Sequence, residues 1–212
     1  MPSIIHLVRH AESEHNVSKD FTQRDPPLTA TGMAQASALI ETFPNPASIT
    51  VVLTSPLKRT LQTTTAGFPH VLRKDEVGAT QLIIDPDLQE RSDLPCDTGS
   101  SRAVLEEAFP GLDFGDLVNE WFIKEGLYAA NDDAVAKRAQ RFRDRLRHIV
   151  TSLVEDGGEA DEGRERNVVV VTHGMFIKFL VEDESIDLPK AGWKSFTLGN
   201  REDGGAVLVP LH

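Results

Sequence analysis

Residues 167–174 read Asn-Val-Val-Val-Val-Thr-His-Gly, four consecutive valines closed by a histidine and a glycine. A β-branched run without polar alternation predicts a strand buried on both faces, which is the signature of a parallel sheet covered by helices on each side. Three other short apolar runs, "SIIHLV", "SITVVLT" and the shorter "QLIID", read as companion strands. Helical stretches separate them. "ATGMAQASALIETF" is capped by Thr29 and closes before Pro44, and "SPLKRTLQTTTAGF" places Ser55 as N-cap with Pro56 at the first helical position. "DDAVAKRAQRFRDRLRHIVTSLVE" sets Ala134, Ala139, Phe142, Leu146, Ile149 and Leu153 on one face at helical spacing. A helix from about Met175 to Glu182 follows the valine strand, and short strands near "SFTLG" and "GAVLVPL" end the chain. Alternating strands and helices imply right-handed crossovers. The expected class is α/β, a three-layer α/β/α sandwich around a mostly parallel central sheet. A single domain is expected over 1–212, with a loop-rich, interrupted lid at about 91–130 and a mobile acidic linker at 156–166.

Sheets of this kind bind ligands at the carboxyl ends of their strands. Arg9 and His10 end the first strand, and Arg59 stands in the first turn after the second. Glu90 lies just past the third, and His173–Gly174 end the valine strand. Two guanidiniums match phosphate oxygens as bidentate forks, and a helix N-terminus adds N–H groups. A neutral imidazole fixed at one nitrogen is a competent nucleophile towards phosphorus. A second histidine can donate to the transferred phosphoryl group, and a protonated Glu90 can protonate the leaving oxygen and then activate water. Nothing in this set calls for a metal or another cofactor.

The bulk properties narrow the partners. With 212 residues and a net charge of −11, the chain lacks the basic face a nucleic acid requires. No apolar run spans a bilayer, and the N-terminus carries no leader pattern. The single Cys96 precludes an internal disulfide, so a cytoplasmic address is expected and the Asn-Val-Ser sequon at Asn16 is read as coincidence. "KRAQRFRDRLRH" reads as a solvated helix face. His6 is expected in the core or at a sheet edge, and His70, His148 and His212 at the surface, while His15 fits cleft and solvent equally. Asp87, Asp93 and Asp97 compete with Glu90 as the working carboxylate. Cys96 is read as a structural or lid residue. No feature specifies an oligomeric state.

Five ordered motifs, "LVRHAESEHN", "PLTATGMAQA", "TSPLKRTLQT", "LQER" and "VVTHG", resemble the histidine phosphatase superfamily in its phosphoglycerate mutase-like branch. The resemblance runs from residue 4 to about 180. It implies His10 as the phosphorylated nucleophile and Arg9, Arg59 and His173 as a phosphate pocket. Glu90 would be the acid/base, Asn16 would help hold the phosphate, and Ser13 and Thr22 would stand near the substrate entrance. Ala11 replaces the glycine usual after the histidine. After "LQER" the mutase-like continuation gives way to "SDLPCDTGSS", similar to small fungal members. From Ser92 to Asp116 the lid carries one cation, Arg102, against six carboxylates, which should repel a bisphosphorylated intermediate, with Arg91 beside it offsetting part of that charge. The expected function is a metal-independent phosphomonoesterase acting on a small phosphorylated metabolite through a phosphohistidine. A mutase-type phosphotransferase and a non-catalytic phosphate-binding protein are the alternatives.

Overall fold

The computed structural model describes residues 3–73, 79–155 and 165–211. Among them six strands, β1 Ile5–Arg9, β2 Ile49–Thr54, β3 Gln81–Ile84, β4 Asn167–Thr172, β5 Trp193–Asn200 and β6 Ala206–Pro210, form one sheet in the order β3-β2-β4-β1-β5-β6. The first four positions are parallel, whereas β5 and β6 join antiparallel. The valine strand is central, with Arg9 opposite Thr172 on one side and Thr54 opposite Val171 on the other.

Its side chains alternate between two cores. Val168 and Val170 face Val135, Ala139, Phe142 and Leu146 of α6 (Asp132–Glu155) and Phe176 and Ile177 of α7 (Gly174–Val181). Val169 and Val171 face Leu39, Phe43 and Phe68 on the opposite side. Both faces are therefore covered, as the tetravaline requires, and the fold is the three-layer α/β/α sandwich. The remaining helices are α1 Glu14–Ser18, α2 Ala30–Ser37, α3 Leu39–Thr42, α4 Lys58–Gly67 and α5 Arg102–Ala108.

Local structure departs from the sequence reading in four places. The helix expected through Phe43 is two, because the Ala38 N–H is shared between Ala34 and Ala36 carbonyls and the chain turns so that Leu39 and Phe43 enter the core. Ser55 does not cap α4, which starts at Lys58; the carboxylate of Asp25, 1% exposed, accepts from the Lys58 N–H at 2.9 Å and takes that role from a distant loop. In α6 the first core position is Val135, not Ala134. The arginine cluster is only in part a solvated face: Lys137, Arg141, Arg145 and His148 are exposed, but Arg138 and Arg143 are buried. Arg138 donates to the carbonyls of Asp87 and Gln89, Arg143 to those of Phe179 and Leu180, and Arg141 and Arg145 pair with Asp87 and Asp85. The acidic linker lies outside the described residues over 156–164.

The lid rests on a small core of its own, in which Leu105, Phe114, Leu117 and Trp121 pack on Leu57, just ahead of α4, and on Leu61 within it. At the front, Thr29 caps α2 by accepting from the Gly32 N–H and donates to Glu12. This brings α2 onto the loop after β1 so closely that a Cβ on Gly32 would stand 1.9 Å from the Glu12 carbonyl oxygen. Gly32→Ala should therefore destabilise the protein by about 1–3 kcal/mol, because backbone rather than a flexible side chain must move. Equilibrium urea unfolding measures this; a variant as stable as the parent would show that the approach is not tight.

Candidate active site

The hydrogen-bond ladder runs one residue past each parallel strand. His10 N–H donates to the Thr172 carbonyl at 2.9 Å and Ser55 N–H to that of Val171 at 3.1 Å. This sets the chain ends side by side and brings the His10 and His173 rings to a centroid distance of 5.2 Å. Both histidines are buried, at 3% and 0% exposure. His10 Nδ1 lies 2.7 Å from the Ala11 carbonyl, an acceptor that can only pair with an N–H, so the proton sits on Nδ1 and Nε2 carries the lone pair. Burial, then the charges of Arg59 and Lys190, hold His10 well below the ordinary histidine pKa. Burial and Arg59 do the same to His173, whose Nε2 pairs with Ser55 Oγ at 2.9 Å.

Around these rings are nitrogens without a protein partner among the described residues. Arg59, 1% exposed, gives Nη1 to the Cys96 carbonyl and Nη2 to Asp97 at 2.8 Å, while its Nε is unpaired. Arg9 gives Nη1 to Asp187 and to the Leu188 carbonyl, and its Nε is likewise unpaired. His173 Nδ1 completes this set of buried, unsatisfied nitrogens. Buried donors normally find acceptors, so a group of this kind marks a place built for an anion. Gly174 belongs to it indirectly: a Cβ there would lie 2.9 Å from Arg9 Cζ, so its absence admits the guanidinium beside the start of α7.

Glu90 stands at the same helix start. Its Oε1 accepts from the Arg91 and Phe176 N–H groups at 2.8 and 3.0 Å, and Oε2 from Met175 at 3.3 Å. Burial, then the neighbouring Asp97 charge, raise its pKa against those donors. Of the competing carboxylates, Asp87 is tied to Arg141 and Arg145 beneath α6, and Asp93 is exposed. Asp97 is in the site, held between Arg59 and Ser92 Oγ. Lys124 from the lid donates to the Glu90 carbonyl at 2.9 Å, and burial followed by Arg138 lowers it to about 7. The sequence motifs point to neither Asp97 as a partner of Arg59 nor Lys124 and Lys190 as cations of the site. Only the turn composition of "LPKAGW" hints that Lys190 is displayed on a bend.

The secondary candidates divide. Ser13 and Asn16 build a capping box at α1, with Asn16 Oδ1 accepting from the Ser13 N–H and Oγ, and Asn16 Nδ2 donating to His15 Nε2. His15 is thereby buried towards the site, its ring 6.4 Å from that of His10. Thr22 is not drawn in; it is exposed and its hydroxyl donates to Asp20. His6 is a core residue in contact with Ser195, Phe43 and Trp193. His148 is exposed, whereas His70 is half-buried against Phe68, contrary to the surface reading; His212 lies outside the described residues. His15, Cys96 and Asp97 place one donor atom each within 4.8 Å of one another, a spacing a metal would accept. That donor set faces Arg59 and Lys190, and both Asp97 oxygens are already bonded, so its chemistry serves the guanidinium better than a second cation.

Four buried histidines set the acid stability. His6 and His15 are lowered to about 4, and His10 and His173 well below 6.5. The unfolded chain binds these protons near 6.5 and the folded chain does not, so stability is full above that pH and falls towards 4. Each histidine contributes up to roughly 1.4 kcal/mol per pH unit. Asp25, Asp85 and Glu90, whose raised carboxyls take protons earlier in the folded state, offset part of this at the acid end. Urea unfolding at pH 7.5 and 5.5 should show the loss, with a shallower dependence in His173→Asn. Stability independent of pH across this interval would mean the histidines are not buried neutral.

Comparison with known proteins identifies the family. The family model described as Histidine phosphatase superfamily (branch 1) matches residues 5–202. A probable phosphatase of Schizosaccharomyces pombe is 28% identical over 200 residues, covering 88% of this chain and 83% of its own length. A probable phosphoglycerate mutase of Proteus mirabilis is 45% identical over 60 residues, 28% of this chain and 27% of its own. Among solved structures, a mycobacterial glucosyl-3-phosphoglycerate phosphatase complexed with VO3 superposes with a TM-score of 0.59 at 21% identity, covering 97% of each chain. Motifs and fold agree with the family match: the chain belongs to the histidine phosphatase superfamily, branch 1.

Proposed function

We propose that this enzyme is a metal-independent phosphomonoesterase that acts on a small phosphorylated metabolite through a phosphohistidine at His10. The observation that carries the reading is His10 itself, neutral, fixed at Nδ1, and ringed by unpaired nitrogens of Arg9, Arg59 and His173. His10 Nε2 attacks phosphorus as the ester P–O bond breaks, and Glu90 passes its proton to the leaving oxygen. The Glu90 carboxylate then takes a proton from water, the water oxygen bonds to phosphorus, and the P–N bond returns its electron pair to His10. Arg9, Arg59 and His173 neutralise the charge on the phosphoryl oxygens throughout.

Beside His173 and α7 lies a cavity of about 310 Å³ lined by Glu90, Arg91, Ser92, Asp93, Asp97, Ala130 and Met175. It offers a seat for the leaving alcohol, and its carboxylates, Glu90, Asp93 and Asp97 against the single cation Arg91, favour a neutral, hydroxyl-bearing body over a second phosphate. This supports hydrolysis over phosphoglycerate mutase-type transfer, although Lys124, just beyond the acidic part of the lid, offsets some of its charge. Among the described residues no helix is long and apolar enough to cross a membrane.

Rapid quenching with labelled substrate should trap an acid-labile, base-stable phosphoenzyme that His10→Ala cannot form; label on another residue would overturn the mechanism. Exhaustive chelation should leave turnover unchanged. Glu90→Gln should slow alkyl phosphates by roughly 100- to 10,000-fold and aryl phosphates with good leaving groups far less. Equal damage to both classes would remove Glu90 from the acid role. Rapid conversion of 3-phosphoglycerate to its 2-isomer with the bisphosphate primer, outpacing phosphate release, would favour the mutase reading.

A further inference from the structure

Lys190 occupies a turn built onto the residue proposed as nucleophile. Gly192 N–H donates to the Pro189 carbonyl at 2.9 Å and closes the turn. Ala191 N–H donates to the His10 carbonyl at 3.3 Å, Arg9 N–H donates to that of Gly192 at 3.0 Å, and Arg9 Nη1 holds the Leu188 carbonyl at 2.6 Å. The chain on both sides of Lys190 is thus bonded to Arg9 and His10. The turn is also strained: Ala191 has a φ of 56°, in the left-handed region that disfavours residues with a Cβ. At Gly192 a Cβ would stand 2.6 Å from the Pro189 ring.

The side chain this turn presents is half-buried, and among the described residues its ammonium has no hydrogen bond or ion pair. Arg9 and Arg59, by contrast, commit terminal nitrogens to Asp187, Asp97 and backbone carbonyls. The Lys190 charge lies near enough to bear on His10, His15 and His173. We propose that Lys190 is a further phosphoryl-binding residue, its ammonium contacting an oxygen of the phosphoryl group while that group passes to and from His10. It makes no covalent bond; it adds fixed positive charge where the guanidiniums are partly occupied. This rests on the phosphohistidine reading, and its test separates the two.

Burial, followed by Arg9 and Arg59, lowers Lys190 to about 8; Lys19 also repels its proton and Glu90 retains it. Its charge is therefore present below pH 8 and lost above it. Lys190→Met should lower kcat/KM for an aryl phosphate by about 100-fold and weaken calorimetric binding of inorganic phosphate about tenfold or more. The component of the kcat/KM fall centred near pH 8, above the step near 7 that belongs to Lys124, should vanish in Lys190→Met and move upward in Lys190→Arg, which should recover part of the activity. Unchanged thermal melting would show that the variants fold. Phosphate binding and kcat/KM within twofold of the parent, with label still trapped on His10, would overturn the assignment and leave the mechanism intact. Weakened phosphate binding without label on His10 would support the contact and remove the phosphohistidine.

Discussion

The pairing of β4 with β1 on one side and β2 on the other is the constraint from which the rest of the molecule follows. A strand of four valines cannot face water on either side, so it takes the centre of the sheet and forces helices onto both faces. Because both neighbours run parallel to it, their carboxyl ends finish at the same edge. The backbone bonds that extend this pairing past the strands are what put His10, Ser55 and His173 within reach of one another. Apolar burial, the least specific of the forces in a protein, here places its most polar cluster.

That cluster is costly to the folded state. Neutral imidazoles, partly paired guanidiniums and a buried carboxyl have all given up water for incomplete replacements. The surrounding structure holds them through backbone contacts. Arg138 ties down the carbonyls of Asp87 and Gln89 ahead of Glu90, and Asp25 bridges the start of α4 to Ser100 in the lid. Charges elsewhere on an acidic chain thus serve as internal clamps.

The sheet, the long helix and the convergence of Arg9, His10, Arg59, Glu90 and His173 were legible because each is encoded locally, in a β-branched run, a helical period or a motif at a strand end. Ser55 misled because a Ser-Pro pair looks like a cap from sequence, whereas the true cap, Asp25, arrives from 33 residues away. Arg138 and Arg143 of α6 misled for a related reason. Composition reports charge, but only tertiary structure shows that a guanidinium has backbone carbonyls to meet in the interior. Asp97 and Lys124 gain their place from a lid whose path no periodicity describes, and Lys190 gains its own from a turn defined by bonds to β1.

Cys96 shows how a reactive residue can be made inert beside a reaction centre. It contributes its carbonyl to Arg59, while burial and the adjacent Asp97 push the thiol up to about 11. At neutral pH the thiolate population is then on the order of one in ten thousand, and thiolate is the form that oxidants and alkylating agents attack. A pocket containing a cysteine should therefore remain indifferent to peroxide, with its chemistry governed by protons and phosphate rather than by the redox state of its surroundings.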